Sequence, residues 1–172
     1  MFNQHLKYIQ GYPASLITQV NALLSSGQLG EYLAKRYPQN NTILTDKGLY
    51  DLVSQFKQAY LRNAPRISKV GYDSKIDVVR HALGMHTSIA RVQGSKLKVK
   101  KEIRIASLFK TAPRDFLDMI IVHELAHLRE ADHNKAFYKL CQYMLPNYHQ
   151  LEFDLRVYLV WCSTQSNEHT TV

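Results

Sequence analysis

Between Val122 and His133 the sequence reads VHELAHLREADH, which places three histidines and two glutamates within eleven residues. His123 and His127 are four residues apart, so on a helix both imidazoles leave the same face, one turn above the other. Two neutral ring nitrogens at that separation can bind one Zn²⁺ ion. Glu124 then projects beside the ion rather than onto it, within reach of a proton on the water the metal holds. Zinc with three protein ligands and one open position lowers the pKa of that water towards about 7. A neighbouring carboxylate serves as general base during attack and as general acid towards the leaving group. The expected chemistry is hydrolysis.

A third ligand completes such a site. On an unbroken helix His133 would lie about 9 Å along the axis from His127 and roughly 120° off the ligand face, out of reach of the ion. His133 therefore requires the chain to leave the helix near Glu130 and turn back. Glycine often makes such a turn because it tolerates positive φ. Here Glu130, Ala131 or Asp132 must do it, and Asp132 best tolerates a left-handed conformation. Glu152, further along the chain, is the rival third ligand. The same donors accept Ni²⁺, Co²⁺ or Mn²⁺, so zinc is the expected ion among several that fit.

These residues need a frame. Phe116, Leu117, Ile120, Ile121, Leu125 and Leu128 predict a strongly apolar helix running into the motif, with Thr111 as its cap and Pro113 in its first turn. Further helices are predicted from about Asn134 to Met144 and from about Tyr148 to Trp161, separated by LPN. Upstream, Leu16, Ile17, Val20, Leu23 and Leu24 recur at helical spacing, as do Leu49, Leu52, Val53, Phe56 and Tyr60, the second set capped by Thr45. The segment SKLKVKKEIRIA changes period: Leu97, Val99, Ile103 and Ile105 alternate with mostly charged residues, as in a half-buried strand, and only Lys101 breaks the inward face. Gly94 and Ser95 before it suggest a tight turn to an earlier strand near TSIARV, giving a small antiparallel or mixed sheet. The expected architecture is a single α+β domain over 1–172: N-terminal helices, a small sheet, the motif-bearing helix and C-terminal helices, with 164–172 a disordered tail.

Composition narrows the classes. The 172 residues are 45% hydrophobic and 21% charged, ordinary values for a globular domain and far from those of a disordered chain. No apolar run is long enough to cross a bilayer, and the N-terminal stretch lacks the features of a secretory signal, so a cytoplasmic protein without a membrane partner is expected. Cys141 and Cys162 form no C-x-x-C pair and read as reduced core thiols. The net charge of +8 favours polyanionic ligands in general.

The stretch DMIIVHELAHLREADHNKAFYKLCQYMLPNYHQLEFDLR, with the preceding EIRIASLFKTAP, resembles the YgjP-like family of small proteins with a metallopeptidase-type zincin domain. YIQGYPASLITQV, YLAKRYP and LRNAPRISKV extend the similarity to one subgroup along nearly the whole chain. The resemblance implies metal ligands at His123, His127 and His133, a base at Glu124 and an aromatic residue at Phe137. Many relatives carry a tryptophan-glycine-serine-cysteine stretch where this chain has SIARVQG, a departure that touches the substrate-facing rim. The glycine of the longer zinc motif in larger metalloproteases is replaced by Glu130. Members of the family are described as metallopeptidase-like, and those of the subgroup are named UTP pyrophosphatase.

Two substrate classes follow, peptide and nucleotide. A peptidase needs a strand edge for an extended substrate, which Leu97 to Ile105 offers, and an oxyanion donor, for which Tyr138, Tyr148 and His149 are candidates. A nucleotide hydrolase needs cations for phosphate; Lys96, Lys98, Lys100, Lys101 and Arg104 form a basic strand face, with Arg91 nearby. The residues favour peptide-bond hydrolysis, with hydrolysis of UTP or a related triphosphate a close alternative. Nucleic-acid binding is less favoured, because the basic residues are scattered and lack interleaved aromatics.

Overall fold

A computed structural model of the chain describes residues 4–77 and 101–168. They form two compact units, one from residues 4–39 with 149–168 and the other from residues 40–77 with 101–148. The architecture is α+β.

In the first unit a 3₁₀ segment (Gln4–Ile9) precedes helices α1 (Ala14–Ser25) and α2 (Leu29–Arg36). Gly27 ends α1 with φ +71°, and the amides of Gly27 and Gln28 return to the carbonyls of Leu24 and Leu23. This paired closure is the one glycine permits at a helix C-terminus. The long helix that begins at Tyr148 contributes Asp154, which is buried and accepts hydrogen bonds from Tyr37, Arg36 Nε (2.9 Å) and Gln150 (3.1 Å). Three donors offset the cost of taking this carboxylate out of water.

In the second unit, α3 (Asp46–Tyr60) is followed by strands β1 (Ile67–Asp73) and β2 (Lys101–Ala106), then α4 (Arg114–Ala126) and α5 (Lys135–Met144). The Thr45 hydroxyl accepts the Gly48 amide at 3.1 Å, so the cap read from the sequence is in place. β1 and β2 run parallel, Val70 opposite Ile103 and Tyr72 opposite Ile105. β1 is not apparent in the sequence. A register shift between Ile67 and Lys69 puts its buried residues at Ile67, Val70 and Gly71, which breaks the two-residue alternation. Of the expected strand, Leu97 and Val99 lie outside the described residues, as do Gly94, Ser95 and TSIARV.

Loops around Asn41 hold the start of α3 to the approach to α4. The Asn41 amide donates to the carbonyls of Ile43 and Phe109, both at 3.0 Å, and its oxygen accepts the Ile43 amide at 2.8 Å. Asn41→Ala leaves these buried groups unpaired, at a cost of about 1–3 kcal/mol. Thermal denaturation should show a melting temperature lower by several degrees; an unchanged value would mean that the network contributes nothing.

Two boundaries differ from expectation. Thr111 does not cap α4. Its hydroxyl donates to Leu108 at the end of a 3₁₀ turn (Ser107–Lys110), and the helix begins after Pro113. The last helix, α6 (Tyr148–Glu168), continues past Trp161 into the polar stretch expected to be disordered. Among the described residues no helix is long and apolar enough to cross a membrane.

Candidate metal centre

α4 is buried almost all round. Phe116, Leu117, Met119 to His123, Leu125 and Ala126 are all inaccessible or nearly so, the pattern of a helix at the centre of a core. His123 therefore stands in apolar surroundings, with 3% of its surface exposed, and His127 follows at the helix C-terminus.

The chain then returns His133 to this pair without glycine. Leu128 and Arg129 close tight i−3 bonds to Leu125 and Ala126, Glu130 makes a last helical bond to Ala126, and the backbone departs. No residue of this turn adopts positive φ, since among the described residues only Gly11 and Gly27 do. The expected left-handed residue, with Asp132 favoured, is thus not used. A 3₁₀ tightening at the helix end begins the reversal, and the rest of the turn is made at negative φ. Asn134 then caps α5 by accepting the Phe137 amide at 2.9 Å.

The Nε2 atoms of the three histidines converge. Those of His123 and His127 are 3.2 Å apart, His123 and His133 3.1 Å, and His127 and His133 3.2 Å. The His127 Nδ1 lies 2.8 Å from the Glu130 carbonyl. A carbonyl only accepts, so Nδ1 carries the proton and neutral His127 presents a bare Nε2 lone pair. Three Nε2 lone pairs turned to one point repel one another, whereas one cation among them satisfies all three. A tetrahedral site with metal–nitrogen bonds of about 2.0–2.1 Å has nitrogen–nitrogen edges of about 3.3 Å. The donor set therefore fits a divalent transition ion, and among the described residues these histidines form the group able to hold one.

Phe137 underlies all three rings. It is fully buried, with its ring centroid 5.0, 4.5 and 4.7 Å from those of His123, His127 and His133. Its position is marked in the sequence, but its contact with every imidazole is a product of the α4–α5 packing.

Glu124 retains some exposed surface, yet desolvation raises its carboxyl to about 7. A cation held by the adjacent imidazoles would oppose that shift. Tyr148 is fully buried, and its hydroxyl lies 2.7 Å from His123 Nδ1, on the opposite side of the ring from the converging nitrogens. Tyr138 is half-buried, its ring 6.3 Å from that of His133. His149 is exposed and stands 4.0 Å from Glu152, which also pairs with Arg156 at 3.6 Å. The exposed Arg104 pairs with Asp73 at 3.1 Å, and Lys101 stands opposite Ile67 in the sheet. Arg91, Lys96, Lys98 and Lys100 lie outside the described residues. The Glu130 carbonyl has no sequence signature, because any residue supplies one.

A buried helix bearing His123, Glu124 and His127, closed by a returning His133, places the protein among the metal-dependent hydrolases. Residues 72–158 match the family described as YgjP-like, metallopeptidase domain, and the chain belongs to that family. It is also 54% identical over 164 residues to a protein of Escherichia coli (strain K12) named UTP pyrophosphatase, covering 95% of this chain and 98% of the relative. No solved structure matches the chain.

Proposed function

We propose that the protein hydrolyses UTP to UMP and pyrophosphate, with His123, His127 and His133 holding a zinc ion and Glu124 acting as general base. The reading is carried by the 54% identity to the UTP pyrophosphatase over 95% of the chain. The metallopeptidase-type match spans residues 72–158 only, and its metal helix would suit either substrate. Likeness to the relative extends through the N-terminal segments as well. The balance thus moves from peptide, which the residues alone favour, to nucleotide.

In this reaction water attacks the α-phosphorus, the α–β anhydride bond breaks, and pyrophosphate leaves. His123, His127 and His133 would hold the dication, which when bound would supply the positive charge that lowers the pKa of water and offsets charge on the phosphoryl group. Glu124 accepts the proton lost by water. Burial raises the affinity of its carboxyl for a proton, and a cation at the neighbouring imidazoles would act in the opposite sense, so the working base is set by the balance of the two. The Glu130 carbonyl accepts the proton of His127 Nδ1 at 2.8 Å, which leaves Nε2 as the nitrogen turned to the other two imidazoles. Phe137 keeps water from beneath the imidazoles.

The test offers zinc-loaded protein UTP, the other nucleoside triphosphates and, separately, a denatured protein mixture. Equimolar UMP and pyrophosphate are expected from UTP, with little cleavage of the protein mixture. Release of UDP and phosphate would refute the proposed bond. Cleavage of the protein mixture without turnover of UTP would replace this reading with peptide hydrolysis.

A further inference from the structure

Tyr148 carries a polar hydroxyl into a fully buried position, where a hydroxyl without a hydrogen-bond partner costs about 1–3 kcal/mol. Its place is fixed by the backbone, because its amide closes on the Leu145 carbonyl at 2.9 Å as α6 begins. The hydroxyl meets His123 Nδ1 at 2.7 Å. His123 Nε2 faces the other two imidazoles. A ring that presents Nε2 as a lone pair must carry its proton on Nδ1, and the phenol oxygen is then the acceptor of that proton.

We infer that Tyr148 is a positioning residue: its hydroxyl holds His123 in the tautomer and ring orientation that direct Nε2 towards the metal. This rests on the assignment of the three histidines as ligands made above. The choice of partner has a chemical consequence. A carboxylate accepting from Nδ1 would push electron density into the imidazole and soften the charge that the ion presents to substrate. A phenol at His123 and a backbone carbonyl at His127 are both neutral acceptors, so they orient the rings with less loss of Lewis acidity. The carbonyl cannot be altered by substitution of its own side chain, which leaves Tyr148 as the position where this control can be probed.

Tyr148→Phe keeps the ring and removes the hydroxyl. Zinc affinity, measured by competition with a chelator, is expected to fall about 10–100-fold, the usual effect of losing a partner that orients a ligand. The visible spectrum of the cobalt-substituted protein should change in parallel, and excess zinc should restore most of the UTP hydrolysis. The melting temperature of the metal-free protein should move by only a few degrees. Equal zinc affinity and identical cobalt spectra in parent and variant would overturn the inference while leaving the ligand assignment intact. If the parent itself binds no zinc, the ligand assignment fails and the inference with it. Should the variant not fold, histidine nitrogen spectra of the zinc-loaded parent decide: a proton on His123 Nδ1 is expected, and coordination through Nδ1 with a proton on Nε2 would overturn the proposal.

Discussion

Glu124→Gln is expected to remove hydrolysis of UTP and leave the bound metal in place. Glutamine keeps the shape and length of glutamate but cannot accept a proton from water at any working pH. Glu124 follows His123 directly on α4, so its side chain leaves the helix about 100° round from the first imidazole and stands beside the ion. General-base catalysis is worth about 10²–10⁴-fold, and a loss in that range is expected in kcat at saturating UTP. Metal content by elemental analysis should match the parent. Undiminished turnover would remove Glu124 from the mechanism. Loss of metal together with activity would make it a ligand instead.

The sequence reveals this site unevenly, because its parts depend on interactions of different range. Spacing alone places His123, Glu124 and His127, since four residues on a helix define one face wherever the helix lies. The caps at Thr45 and Asn134 are equally local: each is one side chain accepting an amide three residues on. The return of His133 is half-legible. Straight-helix geometry shows that a break is required, but not that a turn at negative φ suffices where a left-handed residue was expected. β1 escapes because its bulge spaces Ile67 and Val70 three apart, a pattern that periodicity assigns to neither face of a strand. The groups that orient the imidazoles are the least visible. Glu130 acts through its backbone, and Tyr148 reaches His123 from 25 residues away, a contact that only packing creates. For the same reason Tyr148 reads from the sequence as a candidate oxyanion donor, whereas burial puts its hydroxyl on the far side of His123.

The charge argument is also sharpened. Arg104, on the strand expected to offer cations to phosphate, pairs with Asp73 across the sheet. Arg104 is exposed but the Asp73 carboxylate is largely covered, so Arg104 is available to a nucleotide only in competition with Asp73. Arg104 therefore adds little to the choice of substrate, and the identity to the UTP pyrophosphatase along the chain bears most of it.

His133→Ala tests the ligand set itself and carries the other large effect. Removing an orienting partner typically lowers metal affinity 10–100-fold; removing a donor nitrogen should cost more than about 100-fold. Since metal binds the folded chain, it also stabilises it: at free zinc about a thousand times the dissociation constant the gain is about 4 kcal/mol. The parent should therefore melt several degrees lower once a chelator is added, whereas His133→Ala should melt at one temperature with or without it and show no turnover of UTP. The variant removes an imidazole that is itself part-exposed, and Phe137 remains beneath the other two rings, so the metal-free fold should survive. Glu152→Gln distinguishes the rival assignment. Glu152 pairs with His149 and Arg156, and its loss should leave zinc affinity within a few-fold of the parent. If His133→Ala retains zinc and Glu152→Gln releases it, the third ligand is the glutamate, and the convergence of three imidazoles is not the metal site of the working enzyme.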